Sequence, residues 1–366
     1  MLEKGKINSL QAILLMISMI LPTAVLSVPA ITVKSARQDA WLSIIVATVV
    51  GLLIAWLVVT LSLRFPGKTL FEYVEEILGK IPGKIVSFFY IWWFLHMNAL
   101  VIREYGVFLA TAIMPDTPIS VFHIVVVVVA AYAVRNGLEV LSRANQLLIP
   151  TTVLLATVFI LSTGNMKLSR MLPVIDTGLL PIIKGAAAPA SWLGEIVTFA
   201  MIIPYLNRPR EAHRVAALSV LLVSFFLTAS ILEALLIFGP NLTGAWIFPV
   251  FNAVRLISVD NSLGRLEIII VLAWVLGGFF KVGVFYYAAV LGSAQWLELK
   301  DYRPLVLPVG IILVALSILI HEGIVDLFDF LARVWPPYAL IVFEAGIPLV
   351  LLLVALVRGK GGRKNA

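Results

Sequence analysis

A bilayer core about 30 Å thick is crossed by a helix of about 20 apolar residues, and this chain supplies such stretches repeatedly. They fall at 7–33, 40–63, 85–113, 118–134, 145–163, 182–206, 214–238, 266–296, 304–320 and 336–357. Lipid offers no hydrogen-bond partner to the backbone, so each stretch must satisfy its own polar groups as a helix. The expected fold is an all-α integral membrane protein with ten transmembrane helices in a single domain spanning 1–366. Composition agrees: 61% of the 366 residues are hydrophobic and 13% are charged. Lys4 and Lys6 before an apolar run resemble a signal peptide. That run outlasts a usual signal core and more spans follow it, so it is kept as the first helix.

Several function classes drop out. The chain has no cysteine, which removes disulfides, thiol catalysis and thiolate metal sites. The net charge of +7 is expected to mark cytoplasmic loops and not a nucleic-acid surface. With the N-terminus inside, inner segments carry 17 Lys and Arg and outer segments carry 8, with Arg103 and Lys281 left inside spans. This bias places both termini in the cytoplasm. No HExxH, Walker loop, dinucleotide fingerprint or nucleophile elbow is present. No enzyme, cofactor or metal is expected.

Two spans are interrupted. In the sixth, Gly185, Pro189 and Gly194 lie beside Ser191 and Glu195, and both residue types weaken a helix. Two half-helices with an unwound joint near Pro189–Gly194 are expected there. In the first, Pro22 and Pro29 bracket Thr23 and Ser27. Broken helices five spans apart point to two repeats of opposite orientation, about 7–163 and 182–357. Amphipathic stretches after span two (69–78) and span seven (246–259) would then fall on opposite sides.

Ionisable groups inside spans are costly and are functional candidates. In span three, Trp92, His96 and Arg103 share one face, with Trp93, Met97 and Glu104 beside it. Arg103 and Glu104 point about 100° apart and are expected to make structural ion pairs with other helices. Glu195 could bind an amino group, relay a proton or hold loose backbone donors. Lys281 could stand where a sodium-coupled relative holds a cation, give up a proton during a cycle, or bridge to Glu195, Glu233 or Glu344. His123 and His321, near span ends, are expected at the interface.

At this point the chain resembles the amino acid–polyamine–organocation transporters, which share a 5+5 inverted-repeat, LeuT/APC-like fold with broken helices 1 and 6. Within that group it is similar to the B subunit of spore germinant receptors, the GerAB/GerKB type. The stretches that carry this are LSVPA at 26–30, FPGKTLFEYVEEILG at 65–79, LPVIDTGLLPIIKG at 172–185, FPVFNAVRLI at 248–257 and GRLEIIIVLAW at 264–274. Relatives commonly have glycines where this chain has Thr23 and Ala24. The resemblance implies a subunit of the spore inner membrane that works with A and C subunits and recognises a small germinant, often an amino acid. It also implies a pocket lined by Thr23, Ala24, Val25, Ser27, Trp93, Met97, Trp192, Gly194, Glu195 and Phe279. An active proton- or ion-coupled amino acid transporter is the alternative, and a non-binding scaffold is the third reading.

Overall fold

The computed structural model of the chain describes residues 2–3, 5–148, 163–176, 178–260 and 266–362. The fifth expected span, 145–163, lies almost wholly outside these residues, as do Lys4, Arg265, Arg363 and Lys364. The other nine expected spans are helical. Among the described residues, five continuous helical stretches are long and apolar enough to cross a membrane, and two bent pairs pass when each is taken as one span.

Helix α1 (Ser9–Ala36) starts with a reciprocal cap: Asn8 accepts from the Gln11 N–H, and the Gln11 side chain accepts from the Asn8 N–H. It ends where Arg37 takes φ 52°, and α2 (Ala40–Leu63) follows. Pro22 and Pro29 lie within α1, which continues through both. Each deletes one N–H and frees the carbonyl four residues back, those of Ser18 and Val25. The interruption expected in the first span is therefore two missing rungs in one helix, without an unwound joint. Membrane helices tolerate this where neighbours cover the freed groups.

The amphipathic stretch after span two is α3 (Leu70–Leu78), capped by Thr69 and Glu72. Next come α4 (Lys80–Phe108), α5 (Ile119–Arg135) and the short α6 (Leu138–Asn145), the last turned by 118° from α5. The sixth span is α7 (Leu179–Gly185), α8 (Ala187–Gly194) and then 3₁₀ turns over Glu195–Met201 and Ile203–Tyr205. Pro189 is the third residue of α8, where its missing N–H would have no helical partner in any case. The joint expected at Pro189–Gly194 therefore moves to the Gly194–Glu195 boundary, with a second turn at Ala186.

Helix α9 (Ala212–Ala245) carries a kink at Gly239, φ 75°. The amphipathic α10 (Pro249–Asp260) leads to α11 (Leu266–Trp296), then α12 (Val306–Leu319) and α13 (Ile324–Asp329). The last span begins as a π-helix, Pro337–Gly346, and finishes as α14 (Ile347–Val357).

Contacts fix how these pack. Ser9 Oγ donates to Glu211 at one end of α1, and Gly244 packs on Lys34 at the other. Helices α1 and α9 therefore run side by side in the same direction. Helix α4 is antiparallel to α11: Trp296 donates to the Lys84 carbonyl and Asn98 to that of Val282. In α11, 83% of the most apolar window is buried, against 33–56% for the other four stretches. It is the most buried of these stretches, and a charge near its middle, such as Lys281, is enclosed by protein. Gly277 makes this possible: a Cβ there would lie 2.6 Å from the Pro22 ring.

Candidate functional site

Lys281 lies on α11 and is fully buried, as is Glu195 at the start of the 3₁₀ stretch. Its Nζ donates to Glu195 Oε2 at 2.7 Å, Glu195 Oε1 at 2.9 Å and Thr23 Oγ1 at 2.7 Å. An ammonium has three donors, and all three are used. Thr23 Oγ1 also accepts from Trp192 Nε1 at 3.0 Å. One hydroxyl thus joins α1, α8 and α11 between the two prolines of α1. Of the three partners considered for Lys281, the fold selects Glu195. Phe285, one turn further along α11, places its ring 5.8 Å from the ammonium.

Ser27, one turn past Thr23, donates to Glu104 of α4. Arg103 donates to the Glu322 carbonyl at 3.1 Å. Both residues reach other elements as expected, but among the described residues neither makes a salt bridge. A hydroxyl and a backbone carbonyl replace the ionic partners. Ala24 is buried in the main core, while Val25 packs against a second cluster built around Phe108, Phe251 and Trp274.

Trp93 and Met97 are buried on α4. Trp93 stacks on Phe343 of the last span at 5.7 Å and meets Phe285 edge-on at 6.1 Å. It reaches the ion pair only through Phe285. Phe279 is half-buried against Phe280, 4.9 Å away, and is not a partner of the ion pair. Glu233 is buried on α9 and does not bond Lys281. Glu344 is fully buried on the π-helical stretch, and its carboxylate packs against Gly194, where any Cβ would collide with it. The adjacency of Glu344 to Gly194 had no sequence signal. Phe285 had one, its spacing of four from Lys281.

His123 departs from expectation. It is fully buried, 3.1 Å from Ser317 Oγ, because Gly106 leaves no side chain between α4 and its ring. His321 is also buried and pairs with Asp326 at 2.7 Å.

A cavity of about 410 Å³ opens near the α1 C-terminus, lined in part by Ala30, Lys34, Lys184, Ala188, Trp246 and Arg333. Ala188 precedes Trp192 by four residues, about 6 Å of rise. One lining residue of the cavity is therefore about a turn of α8 from Trp192, the donor to Thr23.

The sequence matches the family described as spore germination protein over residues 6–323. It is 29% identical to Spore germination protein KB of Bacillus subtilis (strain 168), covering 100% of this chain and 98% of that protein. It is 24% identical to Spore germination protein YndE of the same organism, covering 98% of each. Among solved structures, MhsT in complex with L-phenylalanine matches with a TM-score of 0.68 at 13% identity, over 96% of this chain and 99% of that one. A substrate-bound, outward-open Na+-coupled sialic acid symporter matches at 0.66 and 12% identity, over 98% and 85%. These two likenesses place the chain in the LeuT/APC-like fold.

Proposed function

Because the chain belongs to the spore germination protein family, we propose that it is the membrane subunit of a germinant receptor that recognises a small germinant, an amino acid by class. The observation that carries this is the buried Lys281–Glu195–Thr23–Trp192 cluster, which ties the first, sixth and eighth spans at one point. A ligand that rearranges this point changes how three elements sit together. A state with altered packing is then favoured by the ligand's differential affinity.

The cavity supports an approach from the α1 C-terminal end. Its 410 Å³ falls in the size range of small-molecule sites, and Lys34 and Lys184 at its wall suit a carboxylate. Opening the Trp192–Thr23 hydrogen bond would join it to the ion pair. In this reading both termini are cytoplasmic, the chain sits in the spore inner membrane, and A and C subunits receive its change of state. The two repeats, about 7–163 and 182–357, move against each other.

The test is Trp192→Phe in spores, which removes the donor to Thr23 while keeping a large apolar ring. The germinant concentration for half-maximal response should change several-fold with the protein still present. An unchanged response at normal abundance would remove this cluster from the ligand's path. An ion-coupled amino acid transporter is the second reading, favoured by the fold shared with a Na+-coupled symporter. Labelled amino acids offered to proteoliposomes separate the two: binding without accumulation fits a receptor, and saturable accumulation fits a transporter.

A further inference from the structure

The buried core around Lys281 is short of positive charge. Glu104, Glu195 and Glu344 are all buried on elements that converge there, with a single ammonium, that of Lys281, among the described residues. Glu104 takes a hydroxyl donor from Ser27. Glu195 takes two of the three Lys281 hydrogen bonds, and Thr23 takes the third. Lys281 has nothing left to give. Glu344 is fully buried, and neither of its carboxylate oxygens has a hydrogen-bond partner. A buried polar group left without a partner is expensive, and a buried charge far more so.

The carboxylate itself fills the space that Gly194 leaves. Glu344 lies on a run of π-helix, Pro337–Gly346, a geometry that is rare and frequent at functional sites. Its carboxylate is aimed at Gly194, the last α-helical residue before the sixth-span joint, where there is no side chain to meet it. The charged and titratable groups that act on it are Glu195, Lys281 and the Tyr90 hydroxyl. Tyr90 already donates to the Phe343 carbonyl at 2.8 Å. Two carboxylates from two spans thus face one region with one saturated cation.

We propose that Glu344, beside the Gly194–Glu195 joint, is an acceptor for a primary ammonium group brought by the ligand. An ammonium is satisfied by about three acceptors, and Glu344 supplies two oxygens. Bound there, the ligand's ammonium would neutralise Glu344 and sit next to the joint whose packing it must alter. This deepens the receptor reading by naming the ligand's recognised group. It rests on that reading only for the identity of the rest of the ligand.

The experiment uses the purified full-length protein in lipid nanodiscs. Methylammonium chloride is titrated at constant ionic strength against choline chloride, with melting temperature and calorimetric heat as readouts. Saturable binding is expected in the wild type, weakened about tenfold or more by Glu344→Gln, the equivalent of about 1.4 kcal/mol. Three results would overturn the proposal. One is no saturable effect of methylammonium in the wild type, which needs no variant to fold. Another is equal affinity in Glu344→Gln. The last is a saturable effect of sodium or potassium chloride in place of methylammonium, which would assign the carboxylate to an alkali ion. No germinant is present, so failure here leaves germinant recognition standing. Intact methylammonium binding with no germinant response would do the reverse.

Discussion

At Lys281 the energetic question is what a buried ion pair contributes. Taking two charges out of water costs several kcal/mol per ion, and their attraction offsets this only with good geometry. Here the ammonium has all three donors met at 2.7–2.9 Å, so the pair is well made. Removing one partner strands the other. Lys281→Met is expected to lower stability by about 3–5 kcal/mol, and Glu195→Gln by a smaller amount, because Gln still offers an oxygen to Lys281. The double variant Lys281→Met/Glu195→Gln should recover most of the loss. A double-mutant cycle on melting temperatures in detergent measures this, and additive losses would show that the two side chains do not interact. The sequence announced that Lys281 and Glu195 needed partners, since charges at membrane depth do. It could not pair them, because their separation of 86 residues carries no local periodicity. The same limit hid the place of Glu344, already a candidate charge, beside Gly194 of another span.

Elements were more legible than contacts, because lipid imposes both helix and length. Nine of ten apolar stretches were found at nearly their expected bounds, and the amphipathic stretch at 69–78 became α3. The joint was misplaced because Pro at the third position of a helix costs little. What ends α8 is a change to the tighter 3₁₀ turn at Glu195, which no residue type signals. The end of that span is held from outside. Ile7 donates its N–H to the Tyr205 carbonyl at 2.9 Å and accepts from the Asn207 N–H at 2.8 Å. Lys6 Nζ reaches the Pro204 carbonyl at 2.9 Å. Nearby, the Ser9 hydroxyl, with Arg208, holds the Glu211 carboxyl below its ordinary 4.5. A depressed carboxyl stabilises the folded arrangement above its unfolded pKa, and that contribution is lost as pH falls through the folded value. A cysteine introduced at buried Leu206, with its labelling rate taken relative to one at exposed Asn136 to remove the thiol's own pH dependence, should therefore label slowly near neutral pH and relatively faster as pH falls below the ordinary carboxyl range. In Glu211→Gln the labelling rate should be less dependent on pH. An identical pH profile in the variant would place the sensitivity elsewhere.

On the scale of the whole molecule, α1 connects two ends in different conditions. It is 28 residues long, about 42 Å. At its N-terminal end the chain is shut: Ile7 and Leu206 are buried, and the backbone bridge joins them. At its C-terminal end the 410 Å³ cavity is open. In the proposed receptor reading, in which the two repeats move against each other, this is one member of a pair of states, and the N-terminal staple favours it. Loosening the staple should raise the population of the other state. Ile7→Pro deletes the donor to Tyr205, a loss of about 1 kcal/mol, which is about a fivefold shift in a two-state equilibrium. The absence of native cysteine makes this measurable by single-cysteine labelling. A cysteine at Ala245, in the cavity wall, should react readily with a bulky membrane-impermeant reagent, and one at buried Leu206 should resist. Adding Ile7→Pro should slow the first and speed the second together, because one equilibrium governs both. If Leu206 alone became reactive, the staple would be a local latch, and the two ends of the molecule would open independently.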